Sequence, residues 1–297
     1  MQHKKENTQD ILPNFAEELQ LPIDSLVMRE MKTDFPKSVS VVISTYNNPN
    51  FLRLCLHSLC RQTRKPDEVI IADDGSTHET KETVSKFKNR LSIQHVWQED
   101  KGFRKARIMN KAFAVCKGEY IIQIDGDIIC DRHFVEDHLR EAKPGLYLNG
   151  SRGKFTEAAT RELTLKEQFV PHFYSSGLKR RLNTMRLPFL TPFFYCYKQK
   201  QKERDCNMSF WREDLYAVNG YDNEMVGYGS EDIDLPARLR RHGVRKRFIK
   251  FSAIEYHLYH KEEKSKKLIN ESTNYKRFTY YTKHNISRVK DGISRFR

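Results

Sequence analysis

Short apolar runs that alternate with helix-spaced segments constrain this chain more than any other feature. VSVVIST (39–45), EVIIADD (68–74), LSIQHVW (91–97) and EYIIQI (119–124) are β-branched or alternating and read as strands. NFLRLCLHSLCRQT (50–63), with apolar residues at 51, 52, 55, 56 and 59, reads as a helix, as do 79–88 and FRKARIMNKAFAVC (103–116). A helix over 131–142 and a strand at LYLNG (146–150) extend the series. Strands taking turns with helices predict an α/β fold with a mostly parallel central sheet flanked by helices. The pattern breaks over 177–205 and returns over 206–260, where RFIKFSAIE (247–255) reads as one more strand.

In open parallel sheets, ligands sit just beyond the carboxyl ends of the strands. Three polar signatures fall there: Tyr46-Asn47 after the first strand, DDGS (73–76) after the second and DGD (125–127) after the fourth. Past a strand end, a D-x-D turn with Gly126 relaxing its backbone can aim Asp125 and Asp127 into one cleft. Two nearby carboxylates repel, and Mg²⁺ or Mn²⁺ would neutralise them and bridge to a diphosphate. Taken alone, the same turn also reads as a solvated acidic bend. In DDGS, a carboxylate can accept from a nucleobase N–H or ribose hydroxyls, or it can form an Asx-turn that caps the helix starting near Thr77.

Three further segments carry candidate chemistry. KGFRKARIMN (101–110) sets Lys101, Arg104, Lys105 and Arg107 at a helix N-terminus, where cations oppose the helix dipole and an anion is expected nearby. An exposed basic face is the plainer alternative. In GYGSEDIDL (227–235), two glycines flank Tyr228, and Glu231, Asp232 and Asp234 precede the helical stretch LPARLRRHG. A carboxylate there serves as a helix cap or as a general base for an acceptor hydroxyl. YHLYH (256–260) offers His257 and His260, one of which could complete a metal shell begun by Asp127. His257 is the favoured one.

Charge is unevenly distributed. Residues 177–205 hold eight Lys and Arg against two acidic residues, and residues 261–297 hold eleven against four. These two segments carry almost all of the +14 net charge, so the remaining chain is nearly neutral. An aromatic stretch, Leu187 to Tyr197, lies inside the first segment, and its Pro188 and Pro192 argue against a continuous helix. Basic residues beside exposed rings suit either an anionic membrane face or an acceptor loop over the site. No run approaches the ~20 apolar residues of a membrane span. The N-terminal MQHKKENTQDILPNF has no apolar core of a secretory signal, so a cytoplasmic location, peripheral on the membrane, is expected. The six cysteines form no metal-type cluster and are expected as reduced, mostly buried thiols. Residues 1–37 read as an N-terminal extension, 38–260 as the main domain, and 261–297 as a basic tail.

With VSVVISTYN, ADDGS, DGD and GYGSED in this order, the chain resembles family 2 glycosyltransferases of the GT-A fold over residues 38–260. GFRKARIMN and CNMSFWREDLYAVNGYDNEMVGYGSEDIDL also resemble the β-1,4-galactosyltransferases, and the whole set resembles bacterial surface-polysaccharide transferases related to chondroitin polymerase domains. The resemblance implies that Thr45 and Tyr46 line a uridine pocket and that Asp74 contacts the uracil or ribose. It implies that Lys105, at the basic position of an F-x-R-A-K pattern read here as FRKAR, lies near the nucleotide. Asp125 would contact the ribose, while Asp127 and His257 would ligate Mn²⁺ or Mg²⁺. Tyr228 stands where that family has a tryptophan packing on sugars, Glu231 would hold sugar hydroxyls, and Asp232 would be the catalytic base.

The activity this resemblance implies is an inverting transfer of a hexose or N-acetylhexosamine from a UDP-sugar donor to a glycan or lipid-linked glycan acceptor, in bacterial surface polysaccharide or lipopolysaccharide synthesis. Two other classes are weighed against it. A catalytically inactive sugar-nucleotide binder would lack the acidic centres that are present here. A nucleic-acid binder would suit the pI of about 9.4, but the core is near neutral and carries no nucleic-acid motif.

Overall fold

The computed structural model describes residues 35–195, 206–261 and 272–297. Most of the expected N-terminal extension, Cys196 and parts of both basic segments lie outside the described residues. Phe35–Arg297 form one compact unit.

The first strand shows why the sequence folds as it does. Strand β1 (Val39–Thr45) is buried on both faces. Its Val41 and Ile43 join one apolar layer with Leu52 and Leu56 of helix α1 (Pro49–Cys60). The intervening Val42 joins the opposite layer with Ile108, Met109 and Phe113 of helix α3 (Lys105–Val115). A run of β-branched residues is therefore required, because both faces of the strand meet helices. Helix α1 starts where it does because Asn48 caps it, accepting a hydrogen bond from Phe51 N at 3.2 Å, and Pro49 occupies the first turn.

Strands β2 (Glu68–Asp73), β3 (Ile93–Trp97) and β4 (Tyr120–Asp125) follow, with helix α2 (His78–Ser85) between β2 and β3. Beyond β4 come β5 (Ile128–Cys130), α4 (Phe134–Glu141), β6 (Leu146–Gly150), β7 (Arg152–Phe155), α5 (Glu157–Thr164) and β8 (Leu178–Lys179). The later elements are β9 (Asn207–Trp211), α6 (Arg212–Ala217), α7 (Glu231–Arg241), β10 (Arg245–Ile249), β11 (Glu255–His257) and α8 (Thr273–Lys283). The main sheet has seven strands in the order β10-β6-β9-β4-β1-β2-β3, and only β9 runs antiparallel to its neighbours. A second sheet of four strands has the order β5-β11-β7-β8. The chain winds outward from β1 through β2 to β3, then returns to β4 on the other side of β1. That reversal makes the β1/β4 crevice the topological switch point of the sheet.

Three expectations need correction. RFIKFSAIE is not one strand: Arg245–Ile249 belongs to the main sheet and Glu255–His257 to the small one. Phe251 (φ 65°) and Ala253 (φ 45°) take left-handed conformations that a continuous strand cannot contain. Glu231, Asp232 and Asp234 do not precede a helix but form the first turn of α7. Residues 272–297 belong to the same compact unit as the sheet. Asp222, 1% exposed, accepts from Arg277 Nε and from the Tyr281 hydroxyl, each at 2.7 Å.

The aromatic stretch is fastened down rather than loose. Pro188–Phe194 forms one 3₁₀ helix that starts at Pro188 and contains Pro192, so the expectation that the prolines rule out a continuous helix is corrected: Pro188 sits at the first position, where its missing N–H costs nothing. Thr191 Oγ1 donates to Lys250 O at 2.9 Å and the Tyr195 hydroxyl donates to Glu141 at 2.8 Å. Phe189 and Phe193 point outward, 70% and 82% exposed. Cys55, Cys116, Cys130 and Cys206 are buried free thiols and Cys60 is half-buried. Among the described residues, no helix is long and apolar enough to cross a membrane.

Candidate active site

The switch point is built from the ends of β1 and β4. Their parallel register sets Ser44 beside Asp125, and the Ser44 hydroxyl donates to Asp125 Oδ1 at 2.5 Å. The chain then turns through Gly126, whose N–H donates to Ser44 O at 2.8 Å. A Cβ on Gly126 would stand 3.1 Å from that same carbonyl, so a larger residue would push the turn back by a few tenths of an ångström. Lys105, the first residue of α3, donates from Nζ to Asp125 Oδ1 at 2.7 Å. Burial works to raise the Asp125 pKa, but Lys105 and Ser44 outweigh it and hold the carboxyl below its ordinary value.

Asp127 faces different partners because the next three residues join the small sheet. Strand β5 pairs antiparallel with β11, which puts His257 opposite Ile128, and Leu258 N donates to Asp127 O at 2.9 Å. His257 Nε2 lies 3.4 Å and His260 Nε2 3.0 Å from Asp127 Oδ2. One ligand atom from each of the three residues lies within 4.8 Å of the others, a set able to hold a metal ion. Asp127 Oδ1 is buried and has no hydrogen-bond partner among the described residues, the kind of atom a cation would satisfy. Burial pushes His257 below its ordinary pKa, against the pull of Asp127, and favours the neutral imidazole that metals bind. The hydrogen bond to Asp127 raises His260 instead.

The two aspartates of DDGS divide their work. Asp73 Oδ1 accepts from Ser76 N at 2.8 Å and closes the Asx-turn, while its Oδ2 meets His95 Nε2 at 2.8 Å. Asp74 Oδ1 accepts from Gln98 Nε2 at 2.6 Å, and its Oδ2 accepts from Arg104 N at 2.7 Å. Asp74 therefore braces the 98–104 loop, and burial raises its pKa despite these bonds. Gly75 has φ 99°, and a Cβ there would come within 2.6 Å of the Asp100 backbone. Tyr46, 52% exposed, reaches over that loop and donates to Asp100 Oδ2 at 2.8 Å.

The cations of KGFRKAR are largely satisfied within the chain, which the sequence did not lead us to expect. Lys105 has Asp125, Lys101 pairs with Glu99 at 2.9 Å, and Arg107 stands over the Phe296 ring at 5.3 Å.

The GYGSED loop joins the site through this same segment. Gly227 N donates to Phe103 O at 2.9 Å, and the Tyr228 and Phe103 rings meet edge to face at 5.6 Å. Ser230 has φ 75°, an uncommon conformation for a non-glycine residue, and opens α7. Glu231 is buried and Asp232 half-buried in the first turn, while Asp234 forms a fully buried pair with Arg238 at 2.7 Å. Asp234 is thereby a structural residue. The structure thus pairs Asp125 with Lys105 and Ser44, ties Asp74 to the backbone of Arg104 just before Lys105, and brings Asp127, His257 and His260 together as a second group. Tyr46 and Tyr228 lie on loops connected to these clusters, and Thr45 is buried at the end of β1. Sequence reasoning missed Ser44, although its place two residues before Tyr46 on a buried strand was a usable signal. It left His260 open, and both histidines prove to face Asp127.

This largely parallel, doubly wound sheet with an acidic turn at its switch point is the GT-A form of α/β fold. Solved structures share the fold: TarS of S. aureus residues 1–349 in complex with UDP superposes with a TM-score of 0.59 at 16% identity, covering 87% of this chain and 68% of that one. Mannosyltransferase PcManGT from Pyrobaculum calidifontis, in complex with GDP-Man and Mn²⁺, gives a TM-score of 0.52 at 18% identity, covering 76% and 57%.

The sequence model of Glycosyl transferase family 2 matches residues 40–201, and the chain belongs to that family. The N-terminal domain of galactosyltransferase matches residues 189–261. Validoxylamine A glucosyltransferase of Streptomyces hygroscopicus subsp. limoneus is 31% identical over 219 residues, covering 69% of this chain and 48% of that protein. Chondroitin synthase of Escherichia coli is 25% identical over 261 residues, covering 77% and 37%. The chain thus spans about half or less of these curated relatives.

Proposed function

We propose that the chain is an inverting, metal-dependent glycosyltransferase that moves a hexose or N-acetylhexosamine from a UDP-sugar to a glycan or lipid-linked glycan acceptor. The observation that carries the reading is the buried Asp127 Oδ1, unpartnered among the described residues, beside His257 and His260 at the sheet's switch point. Family membership and the named activities of the relatives support the reaction class. The UDP complex of the TarS neighbour supports the choice of nucleotide.

Asp127, His257 and His260 would hold the cation, and two imidazoles with one carboxylate favour Mn²⁺ over Mg²⁺. When bound, such an ion supplies Lewis-acid neutralisation of the departing diphosphate. The chain's own residues do the rest. Tyr46, Thr45 and Asp74 frame the nucleoside, with Asp74 holding the 98–104 loop against it. Asp125, kept ionised by Lys105 and Ser44, accepts from a ribose hydroxyl. Tyr228 packs on the sugars and Glu231 accepts from their hydroxyls. Asp232 takes the proton from the attacking hydroxyl, which enters opposite the leaving UDP and inverts the anomeric centre in one displacement. Exposed Phe189 and Phe193 beside the basic residues of 177–186 form the surface for an anionic membrane that carries the acceptor.

The test is UDP release with Mn²⁺ from UDP-galactose, UDP-N-acetylgalactosamine, UDP-N-acetylglucosamine and UDP-glucose. Wild type is expected to turn over at least one, and Asp232→Asn to lose turnover at least a hundredfold while keeping UDP binding. Near-normal turnover in Asp232→Asn overturns the base assignment.

A further inference from the structure

We infer that Asn274, on the C-terminal helix α8, is a positioning residue that holds the GYGS loop in its working conformation. The inference rests on the proposed transferase function, because it concerns the loop that carries Tyr228 into the first turn of α7. It does not follow from family membership, since the two family matches end at residues 201 and 261.

The loop needs a clamp. Gly227 (φ 83°), Gly229 (φ 108°) and Ser230 (φ 75°) all take left-handed conformations within four residues. A Cβ on Gly227 would meet nothing within 4 Å, so packing around its Cα does not confine it. The buried Ser230 hydroxyl has no partner among the described residues and does not supply the restraint. Glycine reaches these conformations without steric cost and leaves them as easily, so nothing intrinsic fixes Gly227 and Gly229, while the non-glycine Ser230 keeps its φ of 75° only where its surroundings over-determine it.

Asn274 supplies that restraint twice. Its Nδ2 donates to Gly227 O and to Gly229 O, each at 3.1 Å, so both amide hydrogens bind the carbonyls that flank Tyr228. The side-chain orientation is settled by chemistry, because an oxygen turned toward two carbonyls would repel both. Gly227 N is held from the other side by Phe103 O, so the loop is gripped between the nucleotide-side segment and α8.

The clamp itself is rigid. Asn274 is 3% exposed and sits in the first turn of α8, which Ser272 caps by accepting from Tyr275 N at 3.1 Å. Arg277 and Tyr281, one and two turns further on, both bind Asp222. Met225, Tyr281 and Val289, with Phe278 and Ile286, form a small apolar cluster beneath the helix. An exposed tail would not need a buried asparagine aimed at two loop carbonyls.

The test compares Asn274→Asp, which keeps shape but puts carboxylate oxygens against the carbonyls, with Asn274→Ala and with Lys276→Ala on the exposed face of the same helix. Two quantities are read: the rate of UDP release from whichever of the four UDP-sugars wild type turns over, and Mn²⁺–UDP affinity and stoichiometry by calorimetry. Both Asn274 variants are expected to lose at least tenfold in kcat, with UDP affinity within twofold and one site per chain, while Lys276→Ala matches wild type. A role in stability alone would lower the stoichiometry or the affinity together with kcat, and that result overturns the inference, as does an unchanged kcat in both variants. If Asn274→Asp does not fold, Asn274→Ala decides by the same criteria. A wild type inert toward all four sugars overturns the proposed transferase function first, and this inference with it.

Discussion

Lys105 opens α3 against the helix dipole, and its partner Asp125 is the reason it is tolerated. The two side chains are 16% and 24% exposed and meet at 2.7 Å. At that separation Coulomb attraction is about 6 kcal/mol for an effective dielectric near 20. Partial desolvation of both ions offsets much of it, leaving a net coupling of about 2 kcal/mol. Lys105→Met should cost about 3 kcal/mol of stability, because Asp125 would keep only the Ser44 hydroxyl while remaining mostly buried. Asp125→Asn should cost less, since an amide needs no counter-charge. The assay is a double-mutant cycle by urea unfolding of the metal-free protein at neutral pH, with Lys105→Met, Asp125→Asn and the pair. A coupling near 2 kcal/mol that changes little with added salt supports the buried-pair account. A coupling within about 0.5 kcal/mol of zero, as for an exposed pair, refutes it.

The same structure has other consequences that can be measured. His138 is fully buried, bonded to Ser209 Oγ at 2.8 Å and Asn207 Oδ1 at 3.0 Å, and burial pushes its pKa from 6.5 down to about 4. The unfolded chain therefore takes up the proton first, so this residue's contribution is full above pH 6.5 and falls as pH drops toward 4. The total is about 3 kcal/mol, and His138→Gln should flatten that slope in urea melts between pH 5 and pH 6.5. Asp222→Asn should destabilise by about 2 kcal/mol by weakening the Arg277 and Tyr281 bonds that anchor α8. An undiminished melting temperature would contradict that anchor. The chain should float with vesicles containing anionic lipid and come off at high salt, and Phe189→Ser with Phe193→Ser should weaken flotation. Absence of salt-sensitive binding would remove the membrane surface from the account.

What was legible in the sequence is what is local. A strand buried on both faces must be a β-branched run, so β1, β2 and β4 announce themselves, and with them the strand ends where Asp74, Asp125 and Asp127 stand. The turn at Gly126 was readable because two acids cannot follow a buried strand without an exit to solvent or a cation. Pairings between distant segments were not readable. Strand β9 runs antiparallel between β4 and β6, and nothing in NMSFW encodes its direction. The break in RFIKFSAIE rests on left-handed Phe251 and Ala253, residues that ordinarily favour strands or helices. Sequence favoured His257 over His260, but the three-residue pairing of β5 with β11 and the turn after it bring both to Asp127, a result no local pattern encodes. Asn274 was invisible because its function depends on carbonyls more than forty residues away, reached only when α8 packs.

In the proposed reaction Asp127, with His257 and His260, holds a divalent cation on which nucleotide binding depends. Calorimetric titration of UDP into the wild-type chain and into Asp127→Asn, each with Mn²⁺ and with EDTA, tests it most directly. Wild type is expected to bind UDP at least tenfold more tightly with Mn²⁺ than with EDTA, and Asp127→Asn to lose this difference. Equal UDP affinity with and without the metal, or a full metal effect retained in Asp127→Asn, would contradict it.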